Sequence, residues 1–217
     1  MFIGHFGVAL AAKRAAPELS LGMLFIAAQL ADLVWATLVL FGLERFEIQP
    51  GITAVTPLNF IYYPYSHSLV ALVAWGAALG FAYLSIKKNH IRAALLLVAV
   101  VISHWILDVI SHRPDMPITL HGSQRLGYGL WNSVALTATV EVTAFAACVW
   151  VYMRTTRAVD RIGQWAFTVL VIFLLAIYVL NLLGPPPPSV AAVAWSAQAI
   201  WLLVAWAFCI DRHRTAR

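Results

Sequence analysis

The run Ser103-His104-Trp105-Ile106-Leu107-Asp108-Val109-Ile110-Ser111-His112 sets imidazole, carboxylate and imidazole at intervals of four. In a helix that spacing puts His104 and Asp108 on one face about 6 Å apart, and His112 continues the stripe with a modest rotation. The residues between them are apolar and suit packing or lipid. One face therefore offers the nitrogen and carboxylate ligands that bind zinc, manganese or iron. The rival reading is a His–Asp pair that only ties helices together.

Other ionisable residues stand where apolar sequence surrounds them. Asp32 lies in Gln29-Leu30-Ala31-Asp32-Leu33-Val34-Trp35, and Glu141 lies in the middle of another apolar stretch. His67 follows Tyr62-Tyr63-Pro64-Tyr65-Ser66 and precedes Ser68. Pro64 ends any preceding helix and Ser66 or Ser68 caps the next, so His67 is expected in the first turn of a span. His5 is flanked by Gly4 and Phe6-Gly7 in an apolar opening segment, and the small residues let that segment approach others closely. The metal candidates are thus His5, Asp32, His67, His104, Asp108 and His112, with Asp108 and Glu141 as candidate proton acceptors. Glu141 is open to other readings, as a ligand or as a partner of Arg113 or Arg125. Asp115 between two prolines reads as a turn residue, His121 as a loop residue, and His90 and His213, among basic residues, as solvated. Tyr62, Tyr63, Tyr65, Tyr128 and Trp131 on one side, with Trp150, Tyr152 and Trp165 on the other, read as interfacial belts.

The elements that carry these groups follow from composition. The chain is 62% hydrophobic and 11% charged, far from the balance of water-soluble domains. Six apolar blocks are long enough for the ~30 Å hydrocarbon layer, which takes about 20 helical residues. They run from Leu19 to Leu43, Ser66 to Ile86, Arg92 to Ser111, Leu130 to Met153, Ile162 to Leu183 and Ser189 to Ile210. Met1 to Ala12 is too short to span and reads as a short or re-entrant helix. A signal peptide would carry its charges before the apolar stretch, whereas Lys13 and Arg14 follow it; the encoded start is therefore expected to be kept. The fold class is all-α: a single integral-membrane domain over residues 1–217 with about six transmembrane helices and a short N-terminal helix. No internal repeat is visible, and Pro185 to Pro188 forms a stiff connector.

An ionisable group near the bilayer centre costs about 2.5–3.5 kcal/mol on insertion scales, so those that persist there are functional candidates. Counted from the ends of the spans at about 1.5 Å per residue, Asp32 and His104 share a depth, Asp108 lies one turn further out, and His67 sits near the outer end. His5 joins them if the N-terminal helix starts inside the membrane and descends towards Lys13.

Net charge is +5, but its placement argues for membrane topology and against nucleic acid. Of the 14 Lys and Arg residues, 11 fall on alternate connections and the C-terminus, and only Arg45, Arg113 and Arg125 fall on the other side. Positive loops stay cytoplasmic, which puts the C-terminus and the loops near residues 88 and 157 inside. Residues 44–65, 112–129 and 184–188 then face outward. Cys148 and Cys209 both lie within spans, so no disulfide framework is implied.

With these residues in view the sequence resembles the bacterial inner-membrane metal-dependent hydrolases called YdjM-like. The resemblance rests on His5 before a small-residue helix, Leu30-Ala31-Asp32, Ser66-His67-Ser68 and Ser103-His104-x-x-x-Asp108. It covers about the first 115 residues. Gly127 to Ser133 and Glu141 also look like a subgroup of the family, while the last two spans match only as apolar helices. That family is distantly similar, in the order of its ligands, to zinc-dependent phospholipase C and the single-strand nucleases. The resemblance implies a helical metal centre of one or more zinc ions that cleaves phosphoesters. Ala31 stands where the family commonly has proline, and Tyr63-Pro64-Tyr65 where it commonly has a basic residue and glycine; both departures bear on the substrate. The soluble enzymes also use their terminal amine as a ligand, which leaves Met1 open.

The function expected is hydrolysis of a lipid or lipid-linked phosphoester by metal-activated water in the bacterial inner membrane. The alternatives are an intramembrane zinc amidase of the ceramidase kind, and a transporter or channel whose pathway is lined by the same groups. The topology has a direct check. A fluorescent protein fused after Arg217 is expected to fluoresce and alkaline phosphatase fused there to stay inactive, whereas phosphatase inserted near residue 52 is expected to be active. The reverse pattern would invert the orientation.

Overall fold

The computed structural model describes all 217 residues. Five of its six spanning segments start where a small polar residue can accept an amide hydrogen, the exception being the one that begins after His90, which has no side-chain cap. Ser20 accepts from Met23 N, Ser68 from Ala71 N, Ser133 from Leu136 N, Asp160 from Gly163 N and Ser189 from Ala192 N. In chain order the helices are α1 (Ile3–Ala12), α2 (Leu21–Leu40), α3 (Pro64–His67), α4 (Leu69–Ile86), α5 (Ile91–Ser111), α6 (Val134–Thr155), α7 (Arg161–Leu183), α8 (Val190–Gln198) and α9 (Ile200–Arg212). Six segments are long and apolar enough to cross a membrane, with α8 and α9 together forming the sixth. The chain is a multi-pass membrane protein of mainly α structure.

Three short antiparallel ribbons punctuate the connections. β1 (Arg45–Ile48) pairs with β2 (Leu58–Tyr62), β3 (Met116–Pro117) with β4 (Arg125–Leu126), and β5 (Thr156–Ala158) with β6 (Arg214–Ala216). The third ribbon ties the C-terminal tail to the α6–α7 connection. There His213 Nδ1 lies 2.7 Å from Asp160 Oδ2, so His213 is paired, unlike the solvated residue its basic neighbours predict. His90 and His121 are exposed as expected.

Two expected spans contain breaks. The segment from Ser66 divides at Ser68, whose extended backbone (ψ 149°) separates α3 from α4. His67 therefore ends a short separate helix and does not occupy the first turn of the span. Ser68 takes the capping role and Ser66 is left for another. The final segment bends at Ala199, between α8 and α9.

α2 and α5 form the inner pair, with 56% and 50% of their apolar stretches buried against 22% or less for the other spans. α1, although too short to span, is more enclosed than any of them: it packs on α2, α5 and α6, and Ile3, Phe6, Ala9 and Leu10 are inaccessible. Gly7 permits the approach to α6, since a Cβ there would already touch Cys148 Cβ at 3.4 Å. Two residues expected in aromatic belts are core residues here. Tyr63 and Tyr152 are wholly buried, the latter packed on Phe167 at 4.7 Å with the Arg214 guanidinium 5.4 Å from its ring. Tyr128, Trp150 and Trp165 remain exposed.

Lys13 sets the depth of α1. Its Nζ donates to Leu19 O at 2.6 Å and to Asp211 Oδ1 at 2.7 Å, and Asp211 Oδ1 also accepts from Leu21 N at 3.2 Å. It is 5% exposed, whereas a loop cation is normally solvated. Removing one partner of a buried pair strands the other. Lys13→Met is expected to cost about 3 kcal/mol, at the lower end of such losses because Asp211 keeps some access to water. Thermal unfolding in detergent reads this as a lower Tm, with Asp211→Leu, which strands the more buried Lys13, affected at least as much as Lys13→Met.

Candidate metal centre

Asp108, in the last turns of α5 and 3% exposed, gathers groups from three other segments and from its own helix. Its Oδ1 accepts from the Met1 amine at 2.5 Å and lies 3.1 Å from His5 Nε2, both on or beside α1. Its Oδ2 lies 3.1 Å from His104 Nε2 on α5 and 3.8 Å from His67 Nε2 on α3. Asp32 Oδ1 on α2 closes the set at 3.5 Å from His67 Nε2 and 3.7 Å from His104 Nε2. The four atoms His67 Nε2, His104 Nε2, Asp32 Oδ1 and Asp108 Oδ2 thus stand 3.1–3.8 Å apart along these edges. A tetrahedral zinc with bonds of about 2.0–2.2 Å separates neighbouring ligands by about 3.3–3.6 Å. Near that spacing, Asp32, His67 and His104 bring ligand atoms all within 4.8 Å of one another.

The outer hydrogen bonds say which way the imidazoles face. His104 Nδ1 lies 2.8 Å from Ala28 O, a carbonyl that can only accept, so Nδ1 carries a proton and Nε2 faces inward, 3.1 Å from Asp108 Oδ2. That buried Nε2 makes no hydrogen bond, although two carboxylates are nearby. For His67, Ser66 Oγ lies 2.7 Å from Nδ1 and donates to Glu44 Oε2 at 2.5 Å. Having given its hydrogen to Glu44, Ser66 accepts from His67 Nδ1, and Nε2 again faces inward. His112 repeats the pattern with Asp115 Oδ1 at 3.0 Å from Nδ1. Imidazole nitrogens and carboxylate oxygens converging from three helices are the donor types that divalent ions take. The residues present fit a divalent ion.

A second group of possible ligand atoms comprises His5, His104 and Asp108, and the rings of His5 and His104 stack at 3.7 Å. The Met1 amine, left open by the sequence, is at the centre: besides Asp108 it donates to Ser111 Oγ at 2.9 Å. His112 stands at the edge, its Nε2 4.0 Å from Asp108 Oδ1, outside both compact groups. Glu141 is 1% exposed and pairs with neither Arg113 nor Arg125. Its Oε2 accepts from Phe2 N at 2.9 Å and Gly4 N at 3.5 Å at the start of α1. Arg113 and Arg125 instead converge on Asp115.

All six metal candidates except His104, which lies just behind the surface, line one cavity of about 490 Å³ together with Glu141. It runs from the centre to the tip of the β1–β2 hairpin, residues 50–57, and to the Pro185 to Pro187 connector. Trp131, expected in an aromatic belt, also lines it and packs on His112 at 4.3 Å.

Three supporting residues were invisible to sequence reasoning. Glu44 is 1% exposed; its Oε1 accepts from Tyr65 N at 2.8 Å and Ser66 N at 2.9 Å. Burial pushes its carboxyl above the usual range while the bonds from Ser66 and Tyr65 pull it back. Asp115, expected as a plain turn residue, holds His112 and accepts from Tyr63 Oη at 3.0 Å and Arg113 Nε at 3.0 Å. Burial opposes its ionisation, yet the bonds from His112, Arg113 and Tyr63 leave it below the ordinary carboxylate range. Tyr63 is pushed well above the usual phenol range by burial and by Asp115 beside it.

Glu44→Gln keeps the size of the side chain and removes the acceptor that fixes the Ser66 hydroxyl. Metal affinity is expected to fall about 10–100-fold with the Tm little changed, read by competition with a chromogenic chelator. Comparison with protein-family models, with curated proteins and with solved structures finds no match to this chain.

Proposed function

We propose that the chain is a membrane-embedded, metal-dependent hydrolase that cleaves a phosphoester of a lipid or lipid-linked substrate. The observation that carries the reading is the convergence of the inward Nε2 atoms of His67 and His104 with Asp32 Oδ1, beside Asp108, at distances a metal ion can bridge. Asp32, His67 and His104, with Asp108 Oδ2 beside the two imidazoles, would hold one divalent ion, taken to be zinc. His5 and Asp108 Oδ1, with His112 and the Met1 amine nearby, provide for a second. Such an ion supplies water ionised near neutral pH and a Lewis-acid contact to the scissile group.

The chain's own residues supply the rest. Asp108 engages partners with both oxygens, so its role is to hold the cluster together. Glu141 is the general base: its Oε2 is anchored by two amides, and Oε1, which takes no protein hydrogen bond, is the atom that receives the proton. The apolar bundle keeps bulk water from the ligand atoms, and the cavity admits a head group from the hairpin end. The order His5, Asp32, His67, His104-x-x-x-Asp108 resembles that of the YdjM-like family and its phospholipase C relatives, and that resemblance supports the phosphoester reading. The inner membrane of a bacterium, with the C-terminus cytoplasmic and the cavity facing outward, is the setting that the charge asymmetry supports.

Purified wild type is expected to carry at least one zinc per chain by plasma mass spectrometry. His104→Ala and Asp108→Asn are expected to lose more than the ~10–100-fold in affinity that outer-shell changes cause. Turnover against a phospholipid panel is expected to release phosphorylated head groups and to stop on chelation; release of fatty acid from ceramides would assign the amidase chemistry instead. A metal-free wild type would end the hydrolase reading.

A further inference from the structure

Six buried side-chain nitrogen or oxygen atoms have no hydrogen-bond partner in the whole chain. Two are imidazole nitrogens of the metal cluster, His5 Nδ1 and His104 Nε2. Gln29 Nε2 and Tyr152 Oη belong to residues that do not line the cavity. The remaining two, Trp35 Nε1 and Tyr178 Oη, belong to residues that do. An indole N–H can only donate, and a phenol most readily donates to an anionic acceptor. A buried donor with no acceptor is destabilising, so native structures rarely keep one without a use. Here two are kept at one cavity, on helices that approach it separately.

Both positions are firmly held. Trp35 is 5% exposed and sits one turn beyond Asp32 on α2. Its ring is fixed against Phe46 at 5.0 Å and Phe60 at 5.7 Å, with His67 edge-on at 6.4 Å. Tyr178, on α7, is 3% exposed. Next to it in the wall come Leu180 and Leu182, then Pro185 to Pro187, and Val193 on α8. The cavity thus combines ligand atoms, two free donors and a mainly apolar rim in which Asn181 and Ser196 are the polar members.

We infer that Tyr178 Oη–H and Trp35 Nε1–H donate to the phosphoryl oxygens of the ligand, and that the apolar rim takes its hydrocarbon chain. This rests on the hydrolase reading and gives its substrate a definite form: an anionic phosphorylated amphiphile whose polar end carries acceptor oxygens. A head group made of donors, or a cationic one, would leave both side chains unsatisfied. A ligand of water-borne origin, such as free phosphate, would engage the donors and ignore the rim.

The test uses full-length, zinc-loaded protein in an uncharged detergent, with zinc content measured on each sample. Dodecyl phosphate, inorganic phosphate and dodecyltrimethylammonium are titrated by calorimetry against wild type, Tyr178→Phe and Trp35→Phe. Dodecyl phosphate is expected to bind wild type more tightly than inorganic phosphate, and the ammonium amphiphile to show no saturable binding. Tyr178→Phe keeps the ring and removes only the hydroxyl, so its affinity for dodecyl phosphate is expected to fall roughly tenfold. Its zinc content is expected to be unchanged and its Tm unchanged or higher, because an unsatisfied group has gone. A purely structural hydroxyl would give the opposite: lower Tm and unaltered binding. Trp35→Phe is expected to weaken the same ligand independently of Tyr178→Phe. Equal affinities for the two phosphates, with the same loss in Tyr178→Phe, would keep the donors and overturn the chain-binding rim. Unaltered binding in both variants of a zinc-bearing protein would overturn the donor assignment alone; a zinc-free wild type would remove the hydrolase reading itself.

Discussion

A carboxylate in the middle of an apolar bundle must be answered by charge or by hydrogen, and Asp108 is the residue on which this requirement falls most heavily. It is answered from α1, α3 and its own helix, with Asp32 of α2 adding a second carboxylate to the same space. In a low-dielectric interior each unpaired member would be strongly destabilising. The packing of the inner helices is therefore inseparable from the polar cluster they enclose. α2 and α5 are buried because they face it, and α1 is drawn into the core because His5 and the adjoining amine complete it.

Outer hydrogen bonds turn a collection of polar groups into an oriented one. A carbonyl, a serine backed by a glutamate, and an aspartate take the outer nitrogens of His104, His67 and His112 respectively. Each therefore turns its other nitrogen, Nε2, towards the carboxylates of the cluster. Two of these supports, Glu44 and Asp115, lie in connections outside the spans, so segments that look like linkers by sequence fix the geometry of the centre.

What could be read in the sequence follows from signal strength. Six spans were legible because long apolar runs are unmistakable, and His5, Asp32, His67, His104 and Asp108 were legible because ionisable residues within such runs are rare. Glu44 and Asp115 were not, since polar residues in loops are ordinary and only the folded chain shows what they touch. The breaks at Ser68 and Ala199 were hidden inside continuous apolar sequence. Tyr63 and Tyr152 were misplaced because an aromatic near a span end has two good environments, interface and core, and composition cannot choose between them. Lys13 shows the same ambiguity for charge: the positive-inside pattern describes which side a cation occupies, not whether a neighbouring helix end has captured it.

The enclosure of α1 also orders assembly. A ten-residue helix cannot cross the bilayer, and its cradle is made from α2, α5 and α6. Residues 3–12 are made before all three of these helices, and α6 follows more than a hundred residues later. Until then α1 has only part of its cradle, first α2 and then α5. It is thus among the last elements to be fully enclosed, and its side of the polar centre closes only when the fourth span has arrived.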